Sequence, residues 1–240
     1  MKTISAASYS RLNVFNQCKL RAKLAFIDKI PEPDRGPVNP KTGKEWANDR
    51  GSRIHDEAER YVKGELDKLP VECKDFKHEL NRLRDLYVEG KVITEETWFF
   101  DADWEPIDGK TYEDIALRII CDVTVHLDTT TGVIIDYKSG RKFGNEVSHA
   151  QQLQLYQLSA FIKYPELENI HAEIYYFDQD ELTSMSFRRD QGIRFFKSWD
   201  MKFKEMLSCT NFPPNANIYS CKWCPYRQDR SGDCSFGIYT

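Results

Sequence analysis

Two aspartates and a lysine lie on consecutive predicted strands, at a spacing that could bring three charged side chains together. Asp122 lies in IICDVTVHLD, and Asp136 and Lys138 lie in GVIIDYKSG. Because side chains alternate along a strand, Asp136 and Lys138 share a face, and a turn near residues 128–131 would place Asp122 opposite Asp136. Two adjacent carboxylates repel each other unless they are protonated or bridged by a cation such as Mg²⁺ or Mn²⁺. A D-x-K pair alone is equally expected on the solvated face of a surface strand.

The elements that must position these residues follow from hydrophobic periodicity and from proline and glycine breaks. Helices are predicted over residues 8–28, 48–66, 75–89, 148–164 and 191–207, with a proline-rich loop over 31–46. Strands are predicted over residues 91–100, 115–128, 132–140, 169–178 and 182–190. This order favours an α+β (mixed α/β) fold. We expect one domain over residues 1–240, with a helical part (1–90), a sheet and helix (91–190), and a C-terminal helix and cysteine cluster (191–240).

Composition excludes a globally basic nucleic-acid-binding protein and gives no sign of a membrane protein. The net charge of the 240 residues is −4, so any nucleic-acid groove has to be a local basic patch. No stretch approaches the roughly 20 apolar residues that span a bilayer. The first 20 residues lack the apolar segment of a signal peptide, which predicts a cytoplasmic protein.

Two further motifs complete a recognisable set. The segment GSRIHDEAERYV carries His55 on a predicted helix, and QQLQLY carries Gln152 and Tyr156 one helical turn apart. With the D-x-K strand and Asp122, these motifs resemble the PD-(D/E)XK nucleases, specifically their RecB-like exonuclease branch, which includes CRISPR-associated and phage nucleases. The resemblance extends over almost the whole chain. One departure is Cys121, where the family usually has glycine.

The resemblance implies a restriction-endonuclease-like core, with a central mixed sheet flanked by helices, and a role for each motif residue. His55, Asp122, Asp136 and the Tyr137 carbonyl would bind Mg²⁺ or Mn²⁺, and Lys138 would be catalytic. The catalytic set implied by the family is Asp122, Asp136, Lys138, Gln152 and Tyr156. Taken singly, His55 is more often a half-buried structural histidine, and Gln152 and Tyr156 are more often the surface and core of an amphipathic helix.

Three of the seven cysteines lie close together near the C-terminus, in CKWCPYRQDRSGDC. In a reducing compartment, such clustering favours metal or redox chemistry over a disulfide framework. In the RecB-like branch, one N-terminal cysteine joins three C-terminal ones around a 4Fe–4S cluster, which here implies Cys18, Cys221, Cys224 and Cys234. Cys209 is a substitute for the last ligand, and Cys73 and Cys121 are expected in the core. Zinc is an alternative occupant, and the site would join the two chain ends.

The expected substrate is DNA, single-stranded or at duplex ends. Basic residues for its phosphates are Arg141, Lys142, Arg11 and Arg21. The aromatic candidates for base stacking, most of which are expected in the core instead, are Trp46, Tyr61, Trp98, Trp104 and Tyr156.

The family resemblance favours an exonuclease that acts in recombination, repair, or phage or CRISPR DNA processing. No G-x-x-x-x-G-K-[ST] motif is present, so unwinding would need a helicase or another partner protein. A non-catalytic DNA-binding or scaffold module of the same fold is the main alternative, although such a module would be expected to have lost some of the motif residues.

Overall fold

The computed structural model describes residues 2–237, and the chain divides into two compact units. The terminal unit comprises Met1–Gly36, Phe99–Arg118 and Lys197–Thr240, and the central unit comprises Pro37–Trp98 and Ile119–Phe196. The prediction of one domain over residues 1–240 stays a prediction. Within residues 2–237, no helix combines the length and apolar character needed to cross a bilayer.

Helices and strands alternate in the order expected for the predicted class. The helices are α1 (Tyr9–Gln17), α2 (Lys19–Phe26), α3 (Ala47–Val62), α4 (Lys77–Val88), α5 (Glu146–Lys163), α6 (Arg189–Gly192), α7 (Phe196–Ser208) and α8 (Ile218–Cys221). The strands are β1 (Val92–Phe100), β2 (Pro106–Ile107), β3 (Leu117–His126), β4 (Thr131–Lys138), β5 (Asn169–Tyr176) and β6 (Glu181–Arg188). Short 3₁₀ turns lie at Val71–Phe76, Tyr112–Asp114 and Ile193–Phe195.

The strands form one six-stranded mixed sheet in the order β2-β1-β3-β4-β5-β6. Strands β4 and β5 are parallel, whereas β1–β2, β3–β4 and β5–β6 are antiparallel pairs. The parallel connection from β4 to β5 runs through α5, as parallel neighbours require. This mixed sheet with flanking helices confirms the predicted α+β class and is consistent with a restriction-endonuclease-like fold.

The β3–β4 hairpin has the turn that its sequence predicts. The Asp128 carboxylate accepts hydrogen bonds from the backbone N–H groups of Thr130 and Thr131, both at 2.8 Å, as an Asx-type turn does. The resulting register pairs Val123 with Ile135. Most of β4 is buried on both faces, as its run of β-branched residues indicates, so its charged end is held on a rigid strand.

Two helices of the central unit bring polar residues to that charged end. Helix α3 buries Ile54, Ala58, Tyr61 and Val62 against a core that also contains Tyr137. Helix α5 buries a run from Leu153 to Phe161 and leaves its first two turns more exposed. The motif residues of the sequence therefore lie at the edges of these buried faces.

Two predicted helices are interrupted. The helix over residues 8–28 breaks at Cys18, whose extended backbone (φ −161°) separates α1 from α2. The helix over 191–207 begins instead as α6, passes through a 3₁₀ turn, and continues as α7. At Gly192 a Cβ atom would lie 2.1 Å from Gln157 Oε1, so this close approach to α5 requires glycine. Strand β2 and helix α8 are too short for periodicity to predict.

Candidate functional site

The β3–β4 register brings Asp122 and Asp136 to the same place. Extending the ladder by one pair beyond Val123 and Ile135 sets the two aspartates across from each other, as the sequence predicts. At this point a side chain accepts a hydrogen bond from the neighbouring strand: Asp122 Oδ2 accepts from the backbone N–H of Tyr137 at 2.6 Å. The backbone of β4, the strand that carries Asp136, therefore orients the Asp122 carboxylate.

Asp136 is almost fully buried and has a charged donor on one oxygen and an amide on the other. Lys138 Nζ lies 2.6 Å from Oδ2, and Gln152 Nε2 donates to Oδ1 at 2.9 Å. Burial raises the pKa of Asp136, the charge of Lys138 opposes that rise, and the charge of Asp122 adds to it. Asp136 and Lys138 of the predicted D-x-K element thus form a close ion pair. The negative charge of Asp122 disfavours the ionised form of Asp136.

Gln152 and Tyr156 act together, one helical turn apart on α5. The same Gln152 nitrogen that contacts Asp136 also donates to Tyr156 Oη at 2.7 Å, so the tyrosine fixes the orientation of the amide. Tyr156 is buried, and desolvation raises the pKa of its hydroxyl. The structure brings both predicted residues to the carboxylates, and it places Tyr156 behind Gln152 rather than at the surface.

His55 reaches the site from α3. The helix approaches the end of β4 closely: Arg50 Nη1 donates to the Ser139 carbonyl at 3.1 Å, and a Cβ at Gly51 would lie 3.0 Å from Ser139 Oγ. His55 Nδ1 consequently lies 3.4 Å from Asp122 Oδ1. Burial alone would lower the pKa of His55, but the hydrogen-bonding and charge contributions of Asp122 outweigh burial and raise it.

Glu95, which the sequence motifs did not single out, lies beside these two residues. Ligand atoms of His55, Glu95 and Asp122 all lie within 4.8 Å of one another. Desolvation and the charges of Asp122 and Glu59 raise the pKa of Glu95 to about 7. Glu95 has a left-handed backbone (φ 50°) that disrupts alternation along β1, so period-2 reasoning could not assign its direction. The remaining signal was only that an acidic pair interrupts an otherwise β-branched and aromatic strand.

The donor set suits a hard divalent cation. An imidazole nitrogen and carboxylate oxygens are ligands that Mn²⁺ and Mg²⁺ accept, and a cation would relieve the repulsion that raises the carboxyl pKa values. Burial is the main cause of the raised pKa values of Glu95 and Asp136, and the charge of Asp122 adds to both. These residues therefore fit the metal that the family resemblance implied.

The aromatic residues considered for base stacking are mostly core residues. Tyr61, Trp98, Trp104 and Tyr156 are buried, and Trp46 is half-buried. Instead, Phe143 is 86% exposed in the loop between the active-site strand β4 and helix α5. Sequence reasoning missed Phe143, although an aromatic directly after KSGRK was a usable signal.

The basic candidates fall in different surroundings. Arg141 is exposed in the loop after β4, and Lys142 Nζ pairs with Glu181 at 2.7 Å and lies over the Tyr176 ring. In the terminal unit, Arg11 donates to the Ala6 carbonyl at 2.8 Å, and Arg21 lines a cavity rich in cysteine. Of these four basic residues, only Arg141 and Lys142 belong to the same compact unit as the carboxylates.

All four cysteines of the implied cluster line this one cavity of the terminal unit, the cysteine cavity. They are Cys18, Cys221, Cys224 and Cys234. The break between α1 and α2 puts Cys18 there, and the Asn215 backbone N–H donates to its sulfur at 3.4 Å. Cys209 does not line the cavity; its sulfur donates to the Asn211 carbonyl at 3.0 Å. Cys73 and Cys121 are fully buried, as predicted.

The spacing of these sulfurs bears on what the cavity could hold. A tetrahedral zinc site with Zn–S bonds of about 2.3 Å requires sulfurs roughly 3.8 Å apart. Within residues 2–237, no three of the cysteine sulfurs lie within 4.8 Å of one another. Burial raises the pKa of the Cys224 thiol, and the Arg21 charge opposes that rise. The cavity therefore brings four thiols to one place, and these are a donor set that soft metals accept.

Comparisons with known proteins identify the family of this chain. The family model described as the PD-(D/E)XK nuclease superfamily matches residues 6–228. One similar solved structure, described as the crystal structure of SSO0001, is 13% identical with a TM-score of 0.47, covering 100% of this chain and 90% of that one. No curated protein is significantly similar. Because the match spans the histidine helix, the D-x-K strand and the helix that follows it, the chain belongs to the PD-(D/E)XK nuclease superfamily.

Proposed function

We propose that this chain is a metal-dependent DNA exonuclease that hydrolyses phosphodiester bonds from DNA ends and prefers single strands. The observation that carries the proposal is the cluster of His55, Glu95 and Asp122 ligand atoms beside the Asp136–Lys138 ion pair. A nuclease of this superfamily needs a divalent cation next to a lysine, and the central unit holds both sets of residues.

The proposed metal ligands are His55, Glu95, Asp122 and Asp136, with the Tyr137 carbonyl as a further oxygen. When bound, Mg²⁺ or Mn²⁺ supplies a Lewis acid that activates water and polarises the scissile phosphate. Asp122 is held ready for this by the Tyr137 N–H, and His55 by the approach of α3 to Ser139. Glu95 is an addition to the ligands that the family resemblance implied.

Lys138 is the proposed catalytic cation. Its ammonium group lies 2.6 Å from Asp136 and is about a quarter exposed, so it can reach a phosphate oxygen. A fixed positive charge next to the reacting phosphate stabilises the negative charge that develops in the transition state. Gln152 holds Asp136, and Tyr156 holds Gln152, so we assign Tyr156 a positioning role.

The preference for single strands rests on the loop after β4. Phe143 is exposed there beside Arg141 and Lys142, and an exposed ring with cations is the arrangement that stacks an unpaired base while binding its phosphate. The preference for ends rests on the resemblance to the RecB-like branch. A role in recombination, repair, or phage or CRISPR DNA processing has the same basis, with unwinding left to a partner protein.

We further propose that Cys18, Cys221, Cys224 and Cys234 hold a 4Fe–4S cluster. Their shared cavity, and their match in order to the four cysteines of the RecB-like branch, support this choice. A cluster there would tie the first helices to the C-terminal segment and restrict a very long loop in the unfolded chain.

The function is tested with the anaerobically purified chain of residues 1–240 and end-labelled DNA. We expect Mn²⁺-dependent shortening of linear single-stranded DNA, no reaction with EDTA, and resistance of a covalently closed single-stranded circle of the same sequence. Rapid cleavage of the circle would contradict the exonuclease assignment, and no cleavage of either substrate with any divalent cation would contradict the nuclease assignment.

A further inference from the structure

His149 lies in the site on the same helix as Gln152 and belongs to none of the sequence motifs. The residues His149, Gln152 and Tyr156 are spaced three and four apart on α5, which places them in one row on one helix face. Gln152 is the member of this row that contacts Asp136. His149 extends the row by one turn toward the loop that carries Lys142 and Phe143.

Tyr176 fixes the orientation of the His149 ring. The two residues are joined by a 2.8 Å contact between His149 Nδ1 and Tyr176 Oη. Tyr176 is buried, and burial, with the charge of Asp136, raises its pKa to about 12, so it keeps its hydroxyl proton at neutral pH. A buried hydroxyl needs an acceptor, and donation to Nδ1 places the single imidazole proton on Nε2.

The position of Tyr176 brings this histidine to the reacting group. In the parallel β4–β5 ladder, Lys138 and Tyr176 are direct partners, so they share a face at the carboxyl ends of both strands. Burial, and next the charge of Lys138, lower the pKa of His149 to about 4, so the ring is neutral at pH 7.5. The half-buried ring is therefore an uncharged donor beside the catalytic lysine.

We propose that His149 binds a phosphate of the substrate strand through Nε2–H, next to the phosphate contacted by Lys138, and that Tyr176 positions it. The inference rests on the proposed function and adds a specific substrate contact to it. A neutral donor suits this place, because a second fixed charge beside Lys138 would destabilise the lysine ammonium. The phosphate supplies the negative charge, and Lys138 and Lys142 supply the field that attracts it.

The chain offers a matched control. His171, near the start of β5, also places Nδ1 2.8 Å from a hydroxyl, that of Ser186. We would compare His149→Ala and His171→Ala, first for Mn²⁺-dependent cleavage and then for binding of a labelled single strand in a Lys138→Ala background, where cleavage is not expected. We expect His149→Ala to weaken binding roughly tenfold, the usual effect of losing a hydrogen bond to a charged group. His171→Ala should bind as the parent does.

Two readouts separate a phosphate contact from a structural role. Because His149 is neutral, its loss should leave the slope of log K against log salt unchanged at pH 7.5, whereas Lys142→Ala should reduce the slope by roughly 0.7. In a scan of single methylphosphonate substitutions, one position should weaken binding to the parent but not to His149→Ala, as a coupled pair requires.

Further variants cover the case in which His149→Ala fails to fold. His149→Gln retains an N–H donor and should recover part of the affinity, and Tyr176→Phe should weaken binding while leaving thermal unfolding nearly unchanged. No cleavage by the unmodified chain would contradict the proposed function. With cleavage present, equal binding by His149→Ala and His171→Ala, or no coupled phosphate position, would overturn this inference alone.

Discussion

Gln152 and Asp136 are joined by a 2.9 Å hydrogen bond from the Gln152 amide to Oδ1 of the buried carboxylate. This bond links helix α5 to the end of strand β4, and Tyr156 Oη holds the amide from the other side at 2.7 Å. The two helical motif residues therefore serve the D-x-K element directly. Gln152 and Tyr156 are about one helical turn apart in the sequence, so both can take part in this chain of contacts.

Replacing Gln152 should reduce catalysis more than stability. Gln152→Met keeps the side-chain volume but leaves Asp136 Oδ1 without its amide donor, so we expect kcat to fall roughly tenfold or more. Tyr156→Phe should have a smaller effect, because the amide can still reach Asp136. The matched control is Gln151→Met, an exposed neighbour on the same helix. Equal rates for Gln151→Met and Gln152→Met would contradict the role of this bond.

Glu95 should contribute to metal affinity and to its pH dependence. Glu95 has a pKa of about 7, and His55 has a raised pKa, so both bind protons as pH falls and must release them to bind a cation. Mn²⁺ affinity, measured by electron paramagnetic resonance, should therefore rise between about pH 6 and 8. Glu95→Gln should weaken it and flatten the rise.

The exposed Glu113, in the 3₁₀ turn Tyr112–Asp114 of the terminal unit, provides the comparison for Glu95. Glu113→Gln should leave the Mn²⁺ affinity and its pH profile as they are in the unmodified chain. A Glu95→Gln variant with unchanged affinity at every pH would remove Glu95 from the ligand set.

If the cysteine cavity holds the proposed 4Fe–4S cluster, cysteine variants should differ in cofactor content and in stability. Cys18→Ser or Cys224→Ser should abolish visible absorption, lower iron and acid-labile sulfide content, and destabilise the fold by roughly 3–5 kcal/mol if the site restricts a long loop. Cys209→Ser, a change at a half-buried cysteine of the same unit, should leave the visible absorption, the iron and sulfide content and the stability unchanged. A colourless chain with one zinc per molecule would contradict the cluster.

Phe143 should determine the preference for single strands. Removing one stacked base contact costs about 1–3 kcal/mol, so Phe143→Ala should weaken single-strand binding about fivefold to a hundredfold while affecting duplex binding less. The control is Tyr112→Ala, which removes another exposed aromatic, one from the terminal unit. If the two variants bound single strands equally well, the loop after β4 would not be the stacking surface.

Much of the fold and site was readable from sequence because the relevant signals are local. The β-branched run of β4 and the Asp128 turn set the hairpin register, and that register alone brings Asp122 to Asp136. Helical spacing likewise placed Gln152 and Tyr156 on one face.

The features of the site that could not be predicted from the sequence depend on backbone conformation and on contacts between distant segments. The left-handed backbone of Glu95 directs its carboxylate to the site, contrary to the alternation of side chains along a strand. Sequence periodicity does not predict such a conformation. The pairing of His149 with Tyr176 joins residues 27 positions apart through the β4–β5 crossover. The break at Cys18 places its sulfur in the cysteine cavity, whereas the local pattern favoured one continuous helix.

The most direct test of the central claim is the rate at which Lys138→Ala releases label from linear single-stranded DNA with Mn²⁺, measured beside the unmodified chain and Lys110→Ala. Lys110 is an exposed lysine that also pairs with an aspartate, Asp108, two residues away. We predict that Lys138→Ala folds normally but loses at least roughly a hundredfold in rate, as removal of a transition-state contact does, while Lys110→Ala retains full activity. Metal-dependent cleavage by folded Lys138→Ala at the rate of the unmodified chain would contradict the assignment of this site.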